Sequence, residues 1–150
     1  MSRSSSSKPR RRRSAAVVSL VGIAVLLVGA PAQARRKDQT PPTFAGLKSA
    51  TTCIPGPIGP ERTSSYHLSW EAATDNVTPS SKIIYNVYQA TTAGGENFSQ
   101  PTYTTAAGVT SFDTPQLSSV KTFYFVVRAR DQVGNEDSNT VERQGQNLCV

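Results

Sequence analysis

Between Ser65 and Trp70 the chain alternates. Tyr66, Leu68 and Trp70 fall on one side, and Ser65, His67 and Ser69 on the other. A period of two residues marks a strand buried on one face. The pattern returns in IIYNVYQAT, residues 83–91, where Ile83, Tyr85 and Val87 share a face. It is strongest in TFYFVVRARD, residues 122–131. There Phe123, Phe125, Val127 and Ala129 lie on one face, and Tyr124, Val126, Arg128 and Arg130 on the other. Weaker strands are expected in FAGLKSATTC, TYTT, TSFDT and SNTVERQG. The segments between them carry turn chemistry. CIPGPIGPER holds three prolines and two glycines, EAATDNVTPSSK and TAGGENFSQPT are polar loops, QLSSVK is a corner, and QVGN has the composition of a hairpin turn. No stretch after residue 34 reads as a helix. About seven short strands separated by turns predict an all-β chain folded as a seven-stranded antiparallel β-sandwich.

The first 34 residues follow a different pattern. SRSSSSKPRRRRS is basic and polar, residues 15–29 carry no charge, and Ala32 and Ala34 form a small-x-small cleavage pattern. A basic start, a short apolar run and an A-x-A end predict a secretory signal peptide over 1–34, cut after Ala34. An uncleaved anchor formed by residues 15–28 is the alternative. Its apolar run is short for a span needing about 20 residues. The arginine run also raises twin-arginine export, but Ala15 and Ala16 stand where a strong hydrophobe would follow.

Removing that segment changes the reading of charge. The net charge of +6 and the high pI belong to that segment and are not evidence for nucleic-acid binding. Arg3, Lys8, Arg10, Arg11, Arg12 and Arg13 are six of the sixteen basic residues, and none of the ten acidic ones lies with them. The remainder balances ten against ten, so no nucleic-acid partner is expected. Residues 35–40 read as a linker, 41–143 as the folded domain, and 144–150 as a tail. Cys53 and Cys149 are the only cysteines. In an exported chain an even count favours a disulfide.

DQTPPTFAGL, YHLSWEAATDN, IIYNVYQA, GVTSF and LSSVKTFYFVVRARDQVGNED occur in this order over about residues 38–143. In that order the chain resembles a fibronectin type III domain of the bacterial extracellular type. The resemblance implies an immunoglobulin-like sandwich. Leu68 and Trp70 would lie in its core, with Tyr85 and Val87 as an inward pair and Leu117 at the corner before the sixth strand. Phe123 stands where the family carries a corner tyrosine, and Phe125 and Val127 continue inward from it. Phe123 packs but cannot make the tyrosine's hydrogen bond, worth roughly 1 kcal/mol. Shifting the strand to use Tyr124 instead would turn three hydrophobes outward, at about 1.5–3 kcal/mol each. In this fold Cys53 and Cys149 belong to the same pole. A bridge between them would close nearly the whole domain, for about 4–5 kcal/mol at most.

The candidate chemistry sits in the turns. The loops holding Asp75 and Asn76, and Asp131, Asn135, Glu136 and Asp137, would emerge at one pole of the sandwich. Their oxygens suit calcium, which takes six to eight ligands. The spacing is not that of an EF-hand, and Asp and Asn also serve turns by bonding their own backbone. The turn role is therefore the preferred reading, and no metal and no cofactor are expected. His67 faces outward with no partner for a triad, and no catalytic motif occurs, so no enzyme is expected. Asn76 and Asn97 lie in N-x-S/T sequons. Tyr88, Tyr103 and Tyr124 are expected on outward faces. Tyr88 and Tyr124, on neighbouring strands, form a candidate ligand face for a carbohydrate or a protein. The expected function is an exported, monomeric, non-catalytic module for extracellular or periplasmic binding or spacing. Its alternatives are a membrane-tethered envelope protein and a calcium-dependent adhesion module.

Overall fold

Nine strand segments carry the fold in the computed structural model, which describes residues 36–55 and 63–147. They are β1 (Leu47–Pro55), β2 (Thr63–Trp70), β3 (Ile84–Ala90), β4 (Tyr103–Thr104), β5 (Ser111–Asp113), β6 (Leu117–Ser118), β7 (Tyr124–Arg130), β8 (Glu142–Gln144) and β9 (Gln146–Asn147). One sheet runs β5-β2-β1-β9, with β6 also pairing β2, and the other runs β4-β3-β7-β8. The only helical turn among the described residues is a 3-10 turn at Ser80–Lys82. No described helix is long and apolar enough to cross a membrane. The segment 1–34 expected to be a signal peptide, Cys149 and the side chain of Cys53, and with them the export and disulfide expectations, lie outside the described residues.

The two sheets face each other through the alternating residues. Tyr66, Leu68 and Trp70 of β2 meet Tyr85 and Val87 of β3 and Phe125, Val127 and Ala129 of β7 in one buried cluster. Trp70 packs against Tyr85 with ring centroids 5.1 Å apart, and Tyr66 against Phe125 at 5.4 Å. Tilted rings at these separations add attraction beyond the area they bury. The indole N–H of Trp70 donates to the Val109 carbonyl at 3.2 Å. The Tyr85 hydroxyl, fully buried, accepts from the Ala73 amide at 2.8 Å. Phe123 is buried and also touches Tyr66, while Tyr124 is half-buried on the other face. Leu117 is half-buried and packs at the edge of the same cluster.

Four details differ from the alternating pattern. First, Leu47 and Ala50 of β1 are both buried although they stand three positions apart, an odd spacing that alternation would put on opposite faces. A register shift between Leu47 and Ser49 inserts the extra residue and inverts the face. Second, the expected last strand is broken. Asn139 takes bonds from its ladder by donating its side-chain amide to the Val127 carbonyl, and Gly145 separates β8 from β9. Third, β9 runs parallel to β1, pairing Thr51 with Gln146 and Thr52 with Asn147. The sandwich is thus not wholly antiparallel, and pairing continues past residue 143. Fourth, the corner supplies a strand, as β6 pairs Thr63 with Ser118 and Ser64 with Leu117. These last three raise the segment number above seven.

Candidate functional site

The loops at one end of the sandwich bring three aspartates together. Asp38 lies in the arm before β1, Asp75 in the loop after β2, and Asp131 directly after β7. Each offers a carboxylate oxygen within 4.8 Å of the others. Every segment is fixed by its own bonds. Thr43 and Thr74 exchange backbone hydrogen bonds at 2.7 and 3.0 Å, joining the arm to the loop after β2. The Asn135 side-chain amide donates to the carbonyls of Asp38, at 3.2 Å, and Thr40, at 3.5 Å. That joins the arm to the turn after β7.

Asp131 is almost wholly buried, and its turn bonds both of its oxygens. Its Oδ1 accepts from the amides of Val133, Gly134 and Asn135 at 2.9, 2.6 and 2.7 Å, and its Oδ2 from the Asn135 side chain at 2.7 Å. Gly134 takes φ of 101°, a conformation that favours glycine, so the turn can fold around the carboxylate. Asp75 Oδ2 accepts from Val77 and Thr78 at 2.9 and 2.7 Å. Burial pushes the Asp75 carboxyl up, but the amides of Thr78, Val77 and Asn76 together outweigh it and hold it below its ordinary value. Asp38 Oδ1 accepts from the Thr40 amide at 3.0 Å and, weakly, from Asn76 at 3.4 Å. The other oxygens, Asp38 Oδ2 and Asp75 Oδ1, are buried with no hydrogen-bond partner.

The residues expected at this pole therefore separate. Asp75 and Asp131 converge. Asp137 instead turns back to its own strand, accepting from the Ala129 amide and from the Asn139 backbone amide at 2.9 Å. Glu136 points to the outer face of β3 and β7. Asp38 joins the cluster without having been singled out as a ligand, although it opens the D-x-x-P-P stretch. Its separation from Asp75 along the chain hid the proximity, which rests on the pairing of Thr43 with Thr74 and the bond from Asn76 to Asp38.

The expected tyrosine face is corrected. Tyr88 is 2% exposed, because the loop after β3 folds back over it. Phe98 packs edge-on to Tyr88 at 5.1 Å, and the Arg128 guanidinium lies 3.7 Å above the Phe98 ring. The Tyr88 hydroxyl donates to Glu136 Oε1 at 2.7 Å, and the Asn86 side chain donates to Glu136 Oε2. Burial, then the hydrogen bond and charge of Glu136, push the Tyr88 hydroxyl up to about 12. A ring held this way offers no platform to a sugar. Tyr124 remains half-buried beside it. Tyr103 is not outward either. It packs on Phe112 at 5.3 Å and closes the gap between the sheets. His67 is exposed and bonds Asp113 at 2.6 Å across β2 and β5, a pairing of neighbouring strands rather than part of a cleft. Comparison with protein-family models and with curated proteins finds no match to this chain.

Proposed function

We propose that the chain is an exported, non-catalytic module of the fibronectin type III kind, working outside the membrane as a binding or spacing unit for a protein or carbohydrate partner. The observation that supports this most is the strand order. β5-β2-β1 faces β4-β3-β7-β8, with Trp70 against Tyr85 between them, which is in keeping with the immunoglobulin-like sandwich that the resemblance implies. The titratable groups support a structural role as well. Asp131 and Asp137 cap their own turn, Glu136 bonds Tyr88 and Asn86, and His67 pairs with Asp113 on the surface. None is arranged with a nucleophile in a cleft.

Export is read from residues 1–34. The second reading, a membrane-tethered envelope protein, keeps residues 15–28 as an anchor. The N-terminal residue of the protein recovered from an expressing culture separates the two. Arg35 in the cell-free fraction supports the exported module, and Met1 in the membrane fraction supports the tether. For the partner, a glycan array and a surface-protein pull-down with the full chain are the direct test, using Tyr124→Ala to locate the face. Retention of a defined glycan or protein supports a binding unit. If neither retains the chain, binding fails and spacing alone stands.

A further inference from the structure

We propose that Asp38, Asp75 and Asp131 form a calcium site that clamps the arm before β1 to the pole of the sandwich. The three carboxylates come from three separate segments and place oxygens within 4.8 Å of one another. Among the described residues no lysine or arginine forms an ion pair with any of them. Like charges brought this close repel unless a cation lies between them.

A second observation, the hydrogen-bond state of two buried oxygens, points to a ligand. Turn formation accounts for both oxygens of Asp131 and for one oxygen each of Asp38 and Asp75. It does not account for Asp38 Oδ2 or Asp75 Oδ1, each of which exposes less than 1 Å² and has no donor. Buried acceptors are rarely left unpaired, and a charged one costs more than a neutral one. A bound cation removes that cost at both atoms together. The donors are hard oxygens with no sulfur or imidazole among them, a set that suits calcium rather than zinc. Three carboxylates leave room for the waters and carbonyls that complete calcium's six to eight ligands.

The consequence is local order. Asp38 lies outside both sheets, and the arm is held to the turn after β7 mainly through Asn135. Calcium adds a direct tie between the arm, the loop after β2 and that turn. The proposal does not depend on export or on any macromolecular partner.

The test is calorimetric titration and thermal melting of the full chain, first in chelator and then with calcium. One calcium should bind with Kd of about 10⁻⁴–10⁻³ M, the range of extracellular modules. At ten times Kd the melting temperature should rise by about 5 °C. Asp38→Asn should bind calcium at least about tenfold more weakly. In chelator it should melt no lower than the parent chain, because it relieves repulsion. Asp113→Asn, away from the pole, should leave the calcium response unchanged. If Asp38→Asn lowers the melting temperature equally in chelator and in calcium, the carboxylate is only a turn cap and the proposal fails. The parent titration decides even without the variants. No binding heat and no change in melting at about 10 mM calcium, well above the expected Kd, overturns it.

Discussion

Tyr85→Phe removes one oxygen from the centre of the molecule and nothing else. In the native chain that oxygen accepts from the Ala73 amide at 2.8 Å, and both residues are wholly buried. The phenylalanine ring keeps its contacts with Trp70 at 5.1 Å and Phe44 at 5.3 Å, so packing changes little. What is lost is the acceptor of the buried Ala73 N–H, at a cost of about 1–3 kcal/mol. For a domain of this size that lowers the melting temperature by about 5–15 °C. The loss should be local as well as global. The Ala73 bond anchors the start of the loop that carries Asp75, so the Ala73 amide should exchange with solvent faster than its neighbours in β2. Tyr103→Phe is the control. Tyr103 is half-buried and its hydroxyl donates to Gln89 Oε1 at a long 3.3 Å, so the cost should stay below about 1 kcal/mol. Melting by circular dichroism and amide exchange by NMR read both effects. A Tyr85→Phe chain that melts within about 1 °C of the parent, with Ala73 still protected, would refute this account of the core.

Two further outcomes follow from packing and charge. Gly145 lies against the Tyr66 ring so closely that an added Cβ would overlap its edge, and its amide donates to the Phe123 carbonyl at 2.8 Å. Gly145→Ala should therefore cost about 1–3 kcal/mol by overpacking, seen as an earlier urea midpoint. A midpoint equal to the parent's would show that β8 and β9 do not close on Tyr66. Tyr88 titrates near 12 when folded and near 10 in a free chain. Its folded value is raised, so the stability it contributes is whole below pH 10 and fades between pH 10 and 12. Tyr88→Phe should remove one tyrosine's share of the absorbance rise near pH 12, since burial also raises Tyr66, Tyr85 and Tyr103, and should flatten the loss of stability across that window. An absorbance rise near pH 12 of the same amplitude in the variant would refute the assignment to Tyr88.

The strand interiors were legible because burial on one face writes a period of two into the sequence. Leu68, Trp70, Tyr85, Val87, Phe123, Phe125 and Val127 all fall on buried faces by that rule. The rule failed where a residue's surroundings are set by distant chain. Tyr88 alternates outward, yet Phe98 and Arg128 cover it, and nothing local to Tyr88 records that the loop folds back. Leu47 and Ala50 break the period because a bulge lies between them. The parallel pairing of β1 with β9 joins residues almost a hundred positions apart and has no turn to announce it. At the pole, Asp131 carried the signature of a turn-capping aspartate, and its bonds to Val133, Gly134 and Asn135 are those of such a turn. Asp38 had no such signature. Its place beside Asp75 depends on the Thr43–Thr74 bridge, a tertiary feature, and the spare oxygens of both become visible only with side chains in place.

The stacking of the two sheets on Trp70 and Tyr85 is the claim on which the fold, the pole and the proposed module all rest. Nuclear Overhauser contacts measured on the labelled full chain test it most directly. Indole protons of Trp70 should show cross-peaks to the Tyr85 ring, whose centroid lies 5.1 Å away, together with a cross-strand contact between Val87 and Val127. A Trp70 ring with no cross-peak to Tyr85 or Phe125, alongside helical sequential contacts over residues 84–90 or 124–130, would contradict it.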